Sequence, residues 1–172
     1  QRQIAQPVAE RPKGPFPIDQ QEKLCRRLAE IIGFDFESGR LDTTFHPFSG
    51  GIPEDSRITI RYDEADFTSA IMAVMHETGH AMYERGRPKA WRYQPVGETP
   101  GLGMHESQSL IIEMQAGRSR QFVTWAAPVI RSAFSGDGEA WSAENLYRRT
   151  TQVARSFIRV DADEVTYPAH VI

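Results

Sequence analysis

Apolar positions along the chain change their period several times, and each change marks an element. Leu24, Leu28, Ile31 and Ile32 recur at helical spacing. With Asp19 as N-cap before them and Gly33 behind, they predict a helix over about 19–33. Ile58, Ile60 and Tyr62 alternate with Thr59 and Arg61, a period of two that predicts a strand over 57–62. A second short strand is read at 41–46. Between the two, Pro47, Gly50, Gly51 and Pro53 predict a loop. Asp66 or Thr68 then caps a helix that runs to about Arg85, where Gly86 and Pro88 are stop signals. A loop rich in Gly and Pro follows over about 86–103. A long helical pattern resumes near His105 and extends into the 120s or 130s, and a further helix is read over 142–158. Pro7, Pro12, Pro15 and Pro17 make residues 1–18 an extended arm, because each lacks an N–H and restricts the residue before it. The pattern as a whole is mostly helix with one small sheet.

Composition narrows the class of function. The chain has 172 residues, 40% hydrophobic and 25% charged, with a net charge of −3. That is ordinary for one soluble globular domain with a real core. Basic blocks are absent, which argues against nucleic acid as a partner. No apolar run approaches a membrane span, and no signal peptide is visible. Cys25 is the only cysteine, which excludes a disulfide framework and fits a reducing, cytoplasmic compartment. The chain begins with Gln1 and stops at Ile172 inside an apolar stretch. Both ends suggest a piece of something longer.

The helix over 67–85 carries His76-Glu77-Thr78-Gly79-His80, an H-E-x-x-H pattern. Residues i and i+4 share a helix face, so both imidazoles can reach one metal ion. Glu77 projects about 100° round the axis, near that ion but off the ligand direction. A base for an activated water belongs there. The turns before the motif, residues 70–75, are apolar, so the helix is buried and its polar groups need partners. A hydrolytic zinc site needs a third protein ligand and one open position. His105, Glu106, Glu98, His46 and His170 are the candidates. Glu106 is preferred, since it begins the next helix just after the Gly-rich loop. His105 points about 100° away from it, so the two do not share one ion.

Five short segments then carry a resemblance. His46-Pro47-Phe48 matches an HPF motif and residues 55–59 match DxRxT. His76 to His80 match HExxH, residues 105–108 match HES(Q), and residues 158–163 match IRxxAD. In this order they resemble the M32 family of metallocarboxypeptidases, the carboxypeptidase Taq type. The resemblance implies a mainly α fold, a gluzincin-type HExxH helical core with a small antiparallel β-sheet. It implies zinc, with cobalt or manganese as alternatives, held by His76, His80 and Glu106, and Glu77 as general base. It implies peptide substrates shortened from the C-terminus, and a homodimer for the intact enzyme. The family's GxxQDxHW motif and its long N-terminal helical region have no counterpart here. Residues 19–172 are therefore expected to be the incomplete catalytic core of a larger domain. An inert or merely metal-binding fragment, and a zinc endopeptidase or aminopeptidase, are the competing readings.

Several residues keep two expectations. Arg57 and Arg159 are candidates for the substrate's terminal carboxylate, since a guanidinium fork pairs with both oxygens. Each also has aspartates nearby that would make it a scaffold ion pair. His46 either lines the cleft or serves a turn. Glu113, seven residues after Glu106, either steadies a ligating His or joins a salt bridge. Gly79 is unfavourable inside a helix and is explained by close approach of a backbone or of substrate. The strand over 57–62 offers an edge for an extended peptide or is an ordinary sheet strand. Cys25, and the Met and aromatic residues over 104–134, are read as core.

Overall fold

The structure is a computed structural model and describes residues 8–152. Arg159, His170 and the 158–163 segment lie outside the described residues.

Helix α1 spans Ile18–Ile32. Pro17, not Asp19, is its N-cap, and the Pro17 carbonyl accepts from the amides of Gln20 and Gln21. Asp19 instead sits in the first turn, where its charge favours the helix dipole. Gly33 ends the helix at φ 115°, with Phe34 N donating back to Ala29 O. This left-handed cap is available to glycine without a Cβ clash.

Three strands follow: β1 (Gly39–Thr43), β2 (Phe48–Ile52) and β3 (Asp55–Ile60). Their order is β1-β3-β2. The sheet is mixed rather than antiparallel throughout: β2 pairs antiparallel with β3, and β1 pairs parallel with it. The segment expected as a loop therefore contains β2. Its glycines and exposed positions conceal a short edge strand that turns back through Pro53 and Glu54. Gly51, at φ 101°, lies where a Cβ would stand 2.1 Å from Asp55 O. β3 is the central strand, paired on both sides, so it has no free edge for a peptide.

Helix α2 (Phe67–Gly86) is capped by Asp66, which accepts from Thr68 N. The loop behind it holds two single 3₁₀ turns, Lys89–Trp91 and Pro95–Gly97. The long helix expected from His105 is divided. Helix α3 (Leu102–Leu110) runs into a π-helical stretch, Ile111–Gly117. Ser119 then caps a new helix, α4 (Arg120–Ala133), by accepting from Phe122 N. Helix α5 spans Ala143–Thr151 with Gln152 as its extended C-cap, and residues 153–158 of the helix expected there lie outside the described residues.

The core runs between α1, the sheet, α2 and α4. Cys25, Leu28, Ile58, Ile60, Val74 and Met75 are fully buried in it. Phe16, Phe67, Phe134 and Trp141 close one end, with Phe67 and Trp141 stacked at 5.6 Å. Phe16 comes from the proline-rich stretch, whose described residues pack against the body of the fold. Its amide donates to Glu64 O, and Asn145 exchanges two hydrogen bonds with the Glu10 backbone. The expectation of a core role fails for Met104 and Trp125, both nearly half exposed, whereas Phe122 and Phe134 pack partly buried against the core. No helix among the described residues is long and apolar enough to cross a membrane.

Candidate metal centre

Burial of the apolar face of α2 against the sheet and α1 fixes which way its polar motif looks. His76 and His80, one turn apart, project from the part of α2 that α3 covers. Their rings meet nearly at right angles, with Nε2 atoms 3.1 Å apart. Helix α3 brings Glu106 to them. Glu106 Oε2 lies 3.2 Å from His80 Nε2 and 3.5 Å from His76 Nε2. Among the described residues, His76, His80 and Glu106 form a group able to hold a metal ion, with all three ligand atoms within 4.8 Å. Ligands bound tetrahedrally at about 2.0–2.1 Å stand about 3.3 Å apart, so the observed separations suit an ion of that size.

The close approach of α3 depends on Gly79. A Cβ there would stand 2.7 Å from Ser109 Cα and 3.1 Å from Gln108 O, both backbone. This is the backbone contact expected for a glycine inside the motif. Ser109, fully buried in the seam, directs its hydroxyl at Glu106, 2.7 Å from the carbonyl and 3.2 Å from Oε2.

Each histidine is steadied differently. His76 Nδ1 lies 2.9 Å from Glu113 Oε2, and Arg118 holds the other Glu113 oxygen at 2.9 Å. The π-helical stretch carries Glu113, and such stretches recur where a helix must re-aim a functional side chain. His80 stacks on His105, with ring centroids 4.5 Å apart. His105 is not part of the cluster, because its Nε2 lies 2.9 Å from Glu84 Oε1.

The electrostatics follow from crowding three carboxylates, Glu77, Glu106 and Glu113, with His76 and His80 in a poorly solvated seam. Burial pushes the Glu77 carboxyl up to about 7, with His76 opposing and Glu106 and Glu113 adding to the rise. Glu77 is only 6% exposed. Burial also acts on His76, but the Glu113 hydrogen bond and the charges of Glu106, Glu77 and Glu113 outweigh it and hold His76 above its usual value. His80 goes the other way, to about 4, through burial and then the neighbouring His76 and His105. Glu113 resists burial and stays below its usual value through its bonds to His76 and Arg118. These effects favour a proton on His76 and disfavour one on His80. A cation held by His76, His80 and Glu106 would favour the proton-free form of each ligand.

The remaining candidates stand apart. Arg57 is exposed on β3 and pairs with Asp55 at 2.8 Å. His46 is exposed in the bend after β1, and its carbonyl accepts from Thr44 Oγ1. Glu98 is exposed beyond α2. Cys25 is a buried free thiol, as expected of a core residue.

Comparison with known proteins gives this cluster its context. The family model for the carboxypeptidase Taq (M32) metallopeptidases matches residues 1–172. The chain belongs to the M32 family. It is 43% identical over 159 residues to thermostable carboxypeptidase 1 of Thermus thermophilus, covering 92% of this chain and 31% of that protein. It is 40% identical over 158 residues to carboxypeptidase 1 of Bacillus subtilis, covering 91% and 32%. In structure it matches metallocarboxypeptidase 1 of Trypanosoma cruzi at TM-score 0.89 and 47% identity, covering 96% of this chain and 34% of that one. The M32 carboxypeptidase of Deinococcus radiodurans matches at TM-score 0.81 and 38% identity, covering 94% and 34%. This M32 chain therefore spans about a third of the length of the relatives it matches.

Reading the sequence alone missed three participants: Arg118, Ser109 and Glu84. Glu84 had a signal, since 76, 80 and 84 recur at i+4 along one face. Arg118 and Ser109 had none beyond their place near the motif.

Proposed function

We propose that this chain carries the catalytic core of a zinc-dependent carboxypeptidase, which hydrolyses the C-terminal residue from peptides. One observation carries the proposal: three ligand atoms of His76, His80 and Glu106 converge at a spacing suited to one ion, with Glu77 beside them. A divalent metal held by these three side chains supplies a Lewis acid that acidifies water and polarises a peptide carbonyl. Glu77 accepts the water proton at its carboxylate and passes it to the leaving amine nitrogen. Glu77, raised by burial, would be favoured in the ionised form that this step needs by a positive charge held at His76, His80 and Glu106. Glu113, itself held by Arg118, keeps His76 Nδ1 occupied, so that Nε2 is the nitrogen that would hold the metal. Arg159 or Arg57 binds the substrate's terminal carboxylate, and His46 contacts substrate. Zinc is preferred on the donor set, with cobalt and manganese as alternatives. The same reading takes a cytoplasmic setting, no nucleic-acid or membrane partner, and a homodimer as the intact enzyme.

A second reading, metal binding without turnover, is favoured by the chain's coverage of about a third of each relative. Metal content and hydrolysis of free and C-terminally amidated peptides decide between the two. The carboxypeptidase reading expects about one equivalent of zinc and cleavage of free-carboxylate peptides only. It expects Glu77→Gln to keep the zinc and lose turnover by a factor of about 100 or more. Zinc without hydrolysis selects the second reading. Cleavage of amidated peptides at the same rate turns the reading to an endopeptidase or aminopeptidase.

A further inference from the structure

His105 stands next to Glu106 in its motif, yet the proposed chemistry leaves it without a task. Its ring is nevertheless held from three sides. Nε2 meets Glu84 Oε1 at 2.9 Å. Tyr83 packs against it at right angles, with centroids 5.4 Å apart. The third side is the stack on His80, 4.5 Å between centroids and 30° between planes. Glu84 is fixed in turn. Arg87 pairs with it, and the same guanidinium donates to Gly97 O at 2.9 Å, which ties the arrangement to the loop after α2.

His80 has need of such support. A ligating histidine ordinarily donates its second ring N–H to a carboxylate, carbonyl or water, which fixes the ring's orientation. His76 has that partner in Glu113. His80 Nδ1 is buried and meets no partner at full hydrogen-bond geometry, although the His105 backbone lies close enough to act on it. On the side of the ring away from the cluster, the flat surface of His105 is the side-chain contact that sets the His80 rotamer. A ring held by Glu84 and Tyr83 presents that surface in one orientation, since aromatic pairs at this distance have a preferred geometry.

We infer that His105, anchored by Glu84, is the positioning residue for His80, acting through ring stacking and not as a metal ligand. The inference rests on the metal-site reading above. It makes His105 replaceable by another flat ring but not by a small side chain. It also gives Glu84 the role of an anchor one step further out.

The test uses the 172-residue chain and two readouts. Zinc affinity is measured by competition with a chromogenic chelator. The His80 ring-proton shifts are measured by NMR in the metal-free protein. His105→Ala is expected to weaken zinc binding by about tenfold or more and to move the His80 ring protons as the stacked neighbour is lost. His105→Phe is expected to hold affinity within about threefold and to keep His80 in a ring-current environment. Glu84→Gln is expected to weaken binding no more than His105→Phe does, because the amide oxygen still accepts from His105 Nε2 and both variants keep a flat ring on His80. Wild-type affinity in His105→Ala, or equal weakening in His105→Ala and His105→Phe, would overturn the inference. A wild type that binds no zinc removes the metal reading alone. The NMR comparison then decides, and unchanged His80 shifts in His105→Ala overturn the positioning role.

Discussion

His76 and His80 lie one turn apart on the same face of the same helix, yet the fold supports them by different physics. His76 is held by charge. Its Nδ1 faces Glu113, which Arg118 holds in turn, and the histidine's affinity for a proton rises as a result. His80 is held by shape. It stacks on His105, its Nδ1 has no aligned partner, and burial leaves it neutral with its value pushed to about 4. The difference teaches that an H-E-x-x-H helix supplies ligands but does not orient them. The helix packed across it, α3 with its π-helical continuation, orients both, and it does so from Glu113 for one histidine and from His105 for the other.

The largest effect that sharpens this contrast is on the charged side. Glu113→Gln should weaken zinc binding by about 10–100-fold, because an amide holds the imidazole less strongly than a carboxylate. Chelator competition measures it. Affinity equal to wild type would show that His76 needs no charged support.

The seam between the helices comes next. Gly79→Ala places a methyl against the backbone of Ser109 and Gln108, which cannot swing aside as a side chain can. The substitution should cost about 1–3 kcal/mol in thermal or denaturant unfolding. Gly86→Ala is the control, because nothing stands within 4 Å of a Cβ there. It should leave stability unchanged or slightly raised. If both variants behave alike, the seam is looser than the structure has it.

A pH experiment tests the charge imbalance around Glu77. Its carboxyl is raised from 4.5 to about 7 in the folded, metal-free chain, so the unfolded chain loses its proton first. The contribution is present in full below about pH 4.5 and is lost as pH rises through about 7. The melting temperature of the metal-free wild type should therefore fall relative to Glu77→Gln between pH 5 and 8, by about 3 °C or more. Parallel melting curves across that range would contradict the raised carboxyl.

The smallest effect lies far from both histidines. The Arg57–Asp55 pair is exposed on the sheet. Arg57→Ala should change stability by less than about 0.5 kcal/mol. Any larger effect on the cleavage of free-carboxylate peptides would then report on substrate and not on folding.

Much of the centre was legible in the chain because helical geometry is so regular. The i, i+4 spacing of His76 and His80 and the seven-residue step from Glu106 to Glu113 each follow from 3.6 residues per turn. Gly79 was legible too, because a glycine in the middle of a buried helix calls for a reason. What failed was anything set by contacts distant in sequence. His105 was read as pointing away from Glu106, which is true, but nothing local says that it lands on the face of His80. The π-helical register of Ile111–Gly117 changes how α3 continues without a proline to announce it, and its glycine, Gly117, stands only at its end. β2 is concealed among Pro47, Gly50, Gly51 and Pro53, where turn residues outweigh a weak strand pattern. Its existence is decided by pairing with β3. The parallel pairing of β1 is likewise a matter of topology, which period-two alternation does not encode.

The central claim is that His76, His80 and Glu106 form one metal site. Zinc titration of the chain alongside Glu106→Gln tests it most directly, because that substitution removes one charge from the cluster and leaves both histidines in place. The account predicts about one zinc per wild-type chain and affinity lower by a factor of about 100 or more in the variant. Equal affinity in the two proteins, or no zinc bound by the wild type, would contradict it.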